Sequence, residues 1–502
     1  MKKETTYLLL LTAIYFVVSF VGILHHEFFI DEAHHWLLAR DSSSVADLIK
    51  NTRLEGHSLL WSLLLYGITR FTSNPFWMQF LHILISTSFV WVFVKKAPFN
   101  LVFKTLFIFG YFMIFEYNLI SRNYSLGILF LFLACAVFKD RNSKFILLAF
   151  YLAIASNTHL MFSVIAFALF ITLIIEHYQN KQLFYTKNVI GYLIFGLGLA
   201  SIIIQIKTTN SSWLLDPIEK MPFAERLIKG YGSLFKGLIN IPDFRTIHFW
   251  NSNFIVNSNR ALAALLALLI YFLPLLLFFK NRKTLFFVYT ALIGTQIFFF
   301  ITQRAATRFQ GMTFIIMIIA LWIENYYITQ EYKWKHYFNS LKLTLFKKPI
   351  VYGLLVIQLF SGIYAYVMDI VYPFSSAKET IDFTKTDKLK HKEIITITCD
   401  GTLLSAYLEK KIYFLCDQSL QSFCRWDASC AGNINRAELI KMLTNYMENH
   451  DDVLFISYYS LGNETNPNWI ALNDKIKVKF IKKFDINIAE KLNYYIFEVA
   501  RI

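Results

Sequence analysis

An aspartate and a glutamate stand side by side in Phe28-Phe29-Ile30-Asp31-Glu32-Ala33-His34-His35-Trp36, directly after the first apolar run of the chain. On a helix, Asp31 and His35 are one turn apart and Glu32 lies three residues before His35, so carboxylates and imidazole converge on one surface. Such a group suits proton transfer or metal binding. Glu-x-x-His is half of a dinuclear metal motif, but no second copy is present in the sequence. The plainer alternative is a solvated loop capping the first apolar segment.

Three arginines add charge where it is costly. Arg122, in Ser121-Arg122-Asn123-Tyr124, opens an apolar run too short to cross a membrane unless the arginine lies about one turn inside it. An arginine at that depth points to function, with snorkelling to headgroups as the alternative. Arg304 and Arg308 are four residues apart at the end of another run, so both guanidinium forks face one way, as a phosphate or an anionic lipid requires. His57 follows Glu55-Gly56, His159 sits in a tight turn after Asn157-Thr158, and Lys207 opens a long polar loop. Each is a secondary candidate, since lone histidines at turns are usually structural partners and a flanking lysine is ordinary.

The elements that must hold these residues are read from apolar length. The 502 residues are 56% hydrophobic, 18% aromatic and only 17% charged, which sets a soluble protein aside. The net charge of +15 resides mostly in short basic clusters flanking apolar runs, so it marks topology and not a nucleic-acid partner. The run from Tyr7 to Leu24, preceded by Lys2-Lys3 and followed by no small-residue cleavage site, reads as a retained anchor entering from the cytoplasm. Further runs at 76–94, 99–115, 119–138, 145–158, 160–175, 184–206, 261–279, 284–301, 309–322 and 350–372 make eleven spans, several of them short. This count puts the basic clusters at 95–96, 139–144, 181–187, 280–283 and 333–348 on the N-terminal side, in accord with the positive-inside rule. Leu59–Phe71 would reverse that order if it spanned, and therefore reads as a helix lying at the outer interface beside Asp31.

The predicted organisation is a polytopic α-helical membrane module at 1–372, with a first outer loop at 25–75 and a long outer loop at 207–260, followed by a small extracytoplasmic α/β domain at 373–502. Short alternating runs at Glu393–Thr398, Lys411–Leu415, Val453–Ser457, Lys477–Lys482 and Tyr494–Val499 are its candidate strands. Cys399, Cys416, Cys424 and Cys430 fall in this domain, and disulfides suit them better than zinc because paired C-x-x-C spacing is lacking. Gly-rich phosphate loops, Walker motifs and a nucleophile elbow are absent from the sequence.

Taken in order, Asp31-Glu32, Gly56-His57-Ser58-Leu59-Leu60-Trp61, Ser121-Arg122-Asn123-Tyr124, and Arg304 with Arg308 resemble the ordered motifs of the C-type glycosyltransferase superfamily. The likeness is to the polytopic branch that includes protein O-mannosyltransferases and the lipid A aminoarabinose transferase. It covers about the first 325 residues, and the two prolines of the family pattern are missing after His57. The resemblance implies a polyprenyl-phosphate sugar donor and inverting transfer on the extracytoplasmic face, to a glycolipid, polysaccharide or protein acceptor. It makes Asp31 the general base and Glu32 an orienting group, with Arg122, Arg304 and Arg308 on the lipid phosphate. His35, His57, Tyr124, His159 and Lys207 are supporting candidates. No cofactor is required on this reading, a divalent metal is optional, and the partners are the donor, the acceptor and membrane lipid, in a bacterial inner membrane with the N-terminus cytoplasmic. Two other classes compete with this one: a transporter or flippase of a lipid-linked sugar, for which no inverted repeat is evident, and an adhesion module, which would not need the arginines.

Overall fold

In a computed structural model the protein is described over residues 2–53, 55–206, 222–302, 306–327, 344–425, 434–462, 464 and 468–502. Eight of the described helices are long and apolar enough to cross a membrane, which makes this an integral membrane protein. They include α1 (Lys2–His25), α5 (Phe76–Lys96), Arg282–Thr302, Thr307–Glu324 and Thr344–Val371. Helix Thr186–Ile206 leaves Leu193, Leu197, Ile203 and Ile204 exposed, a surface that only lipid covers favourably. Helix Thr307–Glu324 is the opposite case, since nearly every side chain from Thr307 to Ile323 is buried. It packs chiefly against Phe223–Leu238 and Arg282–Thr302.

The expected spans at 99–115, 119–138 and 145–158 are shorter helices: Leu101–Ile108, Tyr124–Val137 and Phe145–Ser156. Between the first two, the chain makes a π-helical turn at Phe112–Glu116 and an irregular stretch up to Asn123. Irregular backbone at this depth is tolerated only where protein satisfies it. Here Tyr15 Oη donates to the Met113 carbonyl at 2.5 Å, Asn118 Nδ2 donates to Ser19 Oγ at 2.8 Å, and Ser86 Oγ donates to Asn118 Oδ1 at 2.5 Å. The ring nitrogens of His82 lie 2.9 and 2.8 Å from the carbonyl oxygens of Asn118 and Arg122. This broken segment is thereby locked, and Arg122 with it.

Between α1 and α5 the chain forms α2 (Ile30–Asp41), α3 (Val45–Thr52) and α4 (Leu59–Thr69). Helix α4 has 11 residues, too few to span, and it packs along α2, with Trp61, Ser62 and Leu65 buried, in line with an interfacial helix.

After Thr344–Val371 comes a seven-stranded sheet of order β3-β2-β1-β4-β7-β6-β5, with β1 (Ile394–Thr396), β2 (Ile412–Phe414), β3 (Ser419–Gln421), β4 (Asp452–Ser457), β5 (Ile470–Ala471), β6 (Ile476–Phe484) and β7 (Tyr494–Arg501). Strand β1 is parallel to β2 and β4, and the remaining pairs are antiparallel. The five expected strand segments are β1, β2, β4, β6 and β7; the edge strands β3 and β5, of three and two residues, are too short to carry a visible alternation. Cys399 and Cys424 are disulfide-bonded, Cys135 is a buried free thiol, and Cys430 lies outside the described residues.

The sheet domain is seated on α2. Tyr407, from helix Gly401–Leu408, accepts the Phe28 amide on its hydroxyl at 3.0 Å, Ser422 bonds to Asp41 at the far end of α2, and Ser73 donates to Glu409 at 3.0 Å.

Candidate functional site

Helix α2 begins because Glu32 turns back on its own first turn. Its Oε2 accepts the Phe29 amide at 2.8 Å, a capping interaction that ties up an otherwise orphan donor. The rest of that carboxylate is used internally. Oε1 accepts the Ser121 amide at 2.5 Å, and Oε2 also meets His26 Nε2 at 3.1 Å, whose Nδ1 lies 2.8 Å from Asp369 in the last span. Glu32 is fully buried, so it fixes backbone and does not face open space. Burial opposes protonation of His26, but Asp369 and then Glu32 override it and raise the imidazole to about 10.

Asp31, the neighbouring residue, points the other way. One oxygen, Oδ2, receives both Arg122 Nη1 and Arg308 Nη2, the latter at 3.4 Å, while the side chain keeps 31% exposure. Burial acts to raise the Asp31 carboxyl, yet the Arg122 and then the Arg308 guanidinium hold it well below the usual carboxylate range. Both guanidinium groups are under-used. Arg122 Nε and Arg308 Nε are buried and have no hydrogen-bond partner among the described residues. The Tyr124 hydroxyl beside Arg122 is in the same condition, with the ring 5.9 Å from the guanidinium carbon.

Arg308 is framed by aromatic rings: Phe309 at 5.1 Å, Phe29 at 5.3 Å and Trp250 at 5.8 Å from its guanidinium carbon. Such rings hold a cation while leaving its N–H groups available. The backbone of Arg308 is held as well, since Tyr117 Oη donates to its carbonyl at 2.6 Å. This contact depends on Gly311, where a Cβ would strike the Tyr117 hydroxyl and the Phe112 ring. Trp250 is oriented in turn by Glu116, which accepts its Nε1–H at 3.1 Å.

The histidine candidates gather beside this pair. His35 is buried on α2, 3.8 Å from Glu55 Oε2, and burial first, then the charge of Arg122, pushes its imidazole down. His57 Nδ1 lies 4.0 Å from the same oxygen, and its ring is 6.1 Å from that of His159. His159 caps helix Leu160–Gln179, its Nδ1 accepting the Met161 amide at 3.1 Å, and stacks on Phe309. Asp31, Arg122, Arg308, Tyr124, His35, His57 and His159 thus form one neighbourhood. Arg304 and Lys207 lie outside the described residues.

A cavity of roughly 800 Å³ opens from this neighbourhood. Ile30, Trp250 and Arg308 line one wall, and Tyr458, Glu490 and Lys491 of the sheet domain line another. Its rim is therefore shared by both parts of the chain. Sequence reading missed Glu55, Glu116, Trp250 and the His26–Asp369 pair. The one available signal was Asp369 itself, a carboxylate inside a long apolar run.

No family model matches the chain, and no curated protein matches it. Among solved structures it is similar to the crystal structure of ArnT from Cupriavidus metallidurans in the apo state, at 9% sequence identity and a TM-score of 0.46, over 90% of this chain and 93% of that one. That likeness is one of general shape.

Proposed function

We propose that this protein is a membrane glycosyltransferase that moves a sugar from a polyprenyl-phosphate donor to an acceptor hydroxyl with inversion. The observation that carries the reading is the convergence of Arg122 and Arg308, from separate elements, on a single oxygen of Asp31, each with a buried Nε donor left over. A carboxylate offers two oxygens to these forks; a phosphate offers more acceptor atoms and more charge.

The resting contact supports one order of events. While both guanidinium groups hold Asp31, its proton affinity is too low for a useful base. A donor phosphate competes for the same forks, and as it takes them Asp31 is released and becomes more basic. Inversion demands that base and leaving group lie on opposite faces of the sugar, so the sugar must separate the carboxylate from the arginines it now touches. Asp31 then takes the proton of the acceptor hydroxyl as that oxygen bonds to the anomeric carbon. The bond from that carbon to the phosphate oxygen breaks, its electron pair stays on the phosphate, and Arg122 and Arg308 stabilise the charge. The cavity bordered by Arg308, Tyr458 and Lys491 supplies an approach for the acceptor, which gives the sheet domain a part in choosing it.

The test is reconstitution in lipid with a panel of polyprenyl-phosphate sugars, following release of the free lipid phosphate. Release with one sugar supports transfer. Movement of the intact donor across the bilayer with no release would replace this reading by lipid-linked sugar transport.

A further inference from the structure

The membrane end opposite Asp31 holds a cavity that the transfer chemistry does not touch. Helix Leu160–Gln179, which His159 caps beside the site, runs about 30 Å to its other end. There its last turns face the start of helix Arg282–Thr302 across a cavity of roughly 430 Å³, lined by Thr172, Ile175, Gln179, Arg282, Lys283 and Phe286. Positions 172, 175 and 179 share one face of the first helix, and 282, 283 and 286 share one side of the second.

The lining is graded in depth. Gln179, Arg282 and Lys283 stand at the helix ends, whereas Thr172 lies about 10 Å deeper than Gln179 and Phe286 about 6 Å deeper than Arg282. Phe286 is exposed, and the Thr172 hydroxyl donates to the Ala168 carbonyl of its own helix at 2.8 Å, so the deep end asks for no polar partner.

The charge at the shallow end is unbalanced. Glu176, buried one turn before Gln179, accepts Arg141 Nε at 2.9 Å and Nη2 at 2.7 Å, so its charge is already met when Lys283 Nζ approaches at 3.4 Å. No carboxylate lines the cavity. Arg282 and Lys283 also occupy the first turn of their helix, where the backbone N–H groups repel cations and no acidic residue offsets them. The positive-inside rule accounts for basic residues at this face but not for an apolar cavity beneath them. The missing complement is an anion with an apolar body.

We infer that this cavity binds one anionic phospholipid, its phosphate held by Arg282 and Lys283 and the start of its acyl chains laid against Ile175 and Phe286. Lys283 reaches Glu176, and Arg141 holds Glu176 from the loop after helix Tyr124–Val137, so the lipid fastens three segments of the membrane module together. The site stands whether or not the chain transfers sugar.

The test uses the full-length protein in phosphatidylcholine nanodiscs with and without phosphatidylglycerol. Native mass spectrometry after extraction into neutral detergent should retain one phosphatidylglycerol. The melting temperature should be higher than in phosphatidylcholine alone, and inorganic phosphate should not reproduce the rise. Arg282→Gln combined with Lys283→Gln should weaken retention by about 10- to 100-fold, and Arg282→Gln alone, at an exposed position, by about tenfold even if the double variant fails to fold. Lys95→Gln with Lys96→Gln, at another basic helix end, should leave retention unchanged. No retained lipid and identical melting in the two bilayers would overturn the inference, as would an equal loss in the Lys95 and Lys96 variant. A rise with inorganic phosphate matching that with phosphatidylglycerol would replace the lipid by a free anion.

Discussion

Replacing Asp31 with asparagine is expected to separate two properties that usually fall together: the donor lipid binds more tightly while transfer stops. Asparagine keeps the shape of the side chain but has no charge with which to occupy Arg122 and Arg308. At the 3.4 Å separating Arg308 Nη2 from Asp31 Oδ2, a pair of unit charges interacts by about 5 kcal/mol in an effective dielectric of about 20. Most of this is offset when the wild-type carboxylate is released, because that side chain is already 31% exposed and water solvates it. A net gain of about 1–2 kcal/mol remains for a phosphate that no longer has to displace it, which is roughly 5- to 30-fold in Kd. Loss of the proton acceptor should meanwhile cut turnover by about 10²- to 10⁴-fold. Both are measured on one nanodisc preparation, by displacement of a labelled polyprenyl phosphate and by release of lipid phosphate from the sugar donor. Weaker lipid binding in the variant would refute the competition between carboxylate and phosphate, and turnover within a few-fold of wild type would refute the base.

Three further outcomes follow from the same contacts. Arg308→Gln should raise the donor KM by about 10- to 100-fold, the worth of a charge-assisted hydrogen bond, and leave the acceptor KM within about twofold; the opposite pattern would remove Arg308 from the phosphate site. Gly311→Ala should push the helix off Tyr117, cost about 1–3 kcal/mol of stability and raise the donor KM, whereas an unshifted melting curve would show the contact to be compliant. His26 is held at about 10, above its ordinary value of 6.5, so the stability it contributes is fully present below pH 6.5 and is lost as pH rises towards 10. Melting temperature should fall across that window, and His26→Gln should flatten the fall; a variant with the wild-type slope would assign it to other groups.

Much of the site was legible because its chemistry is local or conspicuous. Asp31 is adjacent to an apolar run, and Arg122 and Arg308 stand at the ends of theirs, so each is a visible expense in a lipid setting. The i, i+4 argument rightly put Asp31 and His35 on one helix, but it could not show that Asp31 would meet arginines while His35 met Glu55. Those choices depend on segments that come together only after folding: Arg308 is 277 residues from Asp31, and Asp369 is 343 from His26. The broken helices between 99 and 138 were signalled by their short length, but the π-helical turn was not, since it depends on partners such as Tyr15 and Asn118 on other elements. The ring of Phe29, Phe309 and Trp250 around Arg308 was hidden for a different reason. With 51 phenylalanines in the chain, no single one stands out.

Helix α2 carries Asp31 near one end and is gripped by two bodies: Ser121 and Arg122 from the irregular stretch of the membrane module, and Tyr407 and Ser422 from the sheet domain. It is therefore common property, like a beam built into two walls. Neither wall can be remodelled without the other noticing. A lineage that exchanged the sheet domain to gain a new acceptor would have to preserve the seats for Phe28 and Asp41, which leaves the face turned towards Tyr458 and Lys491 as the freest ground for change.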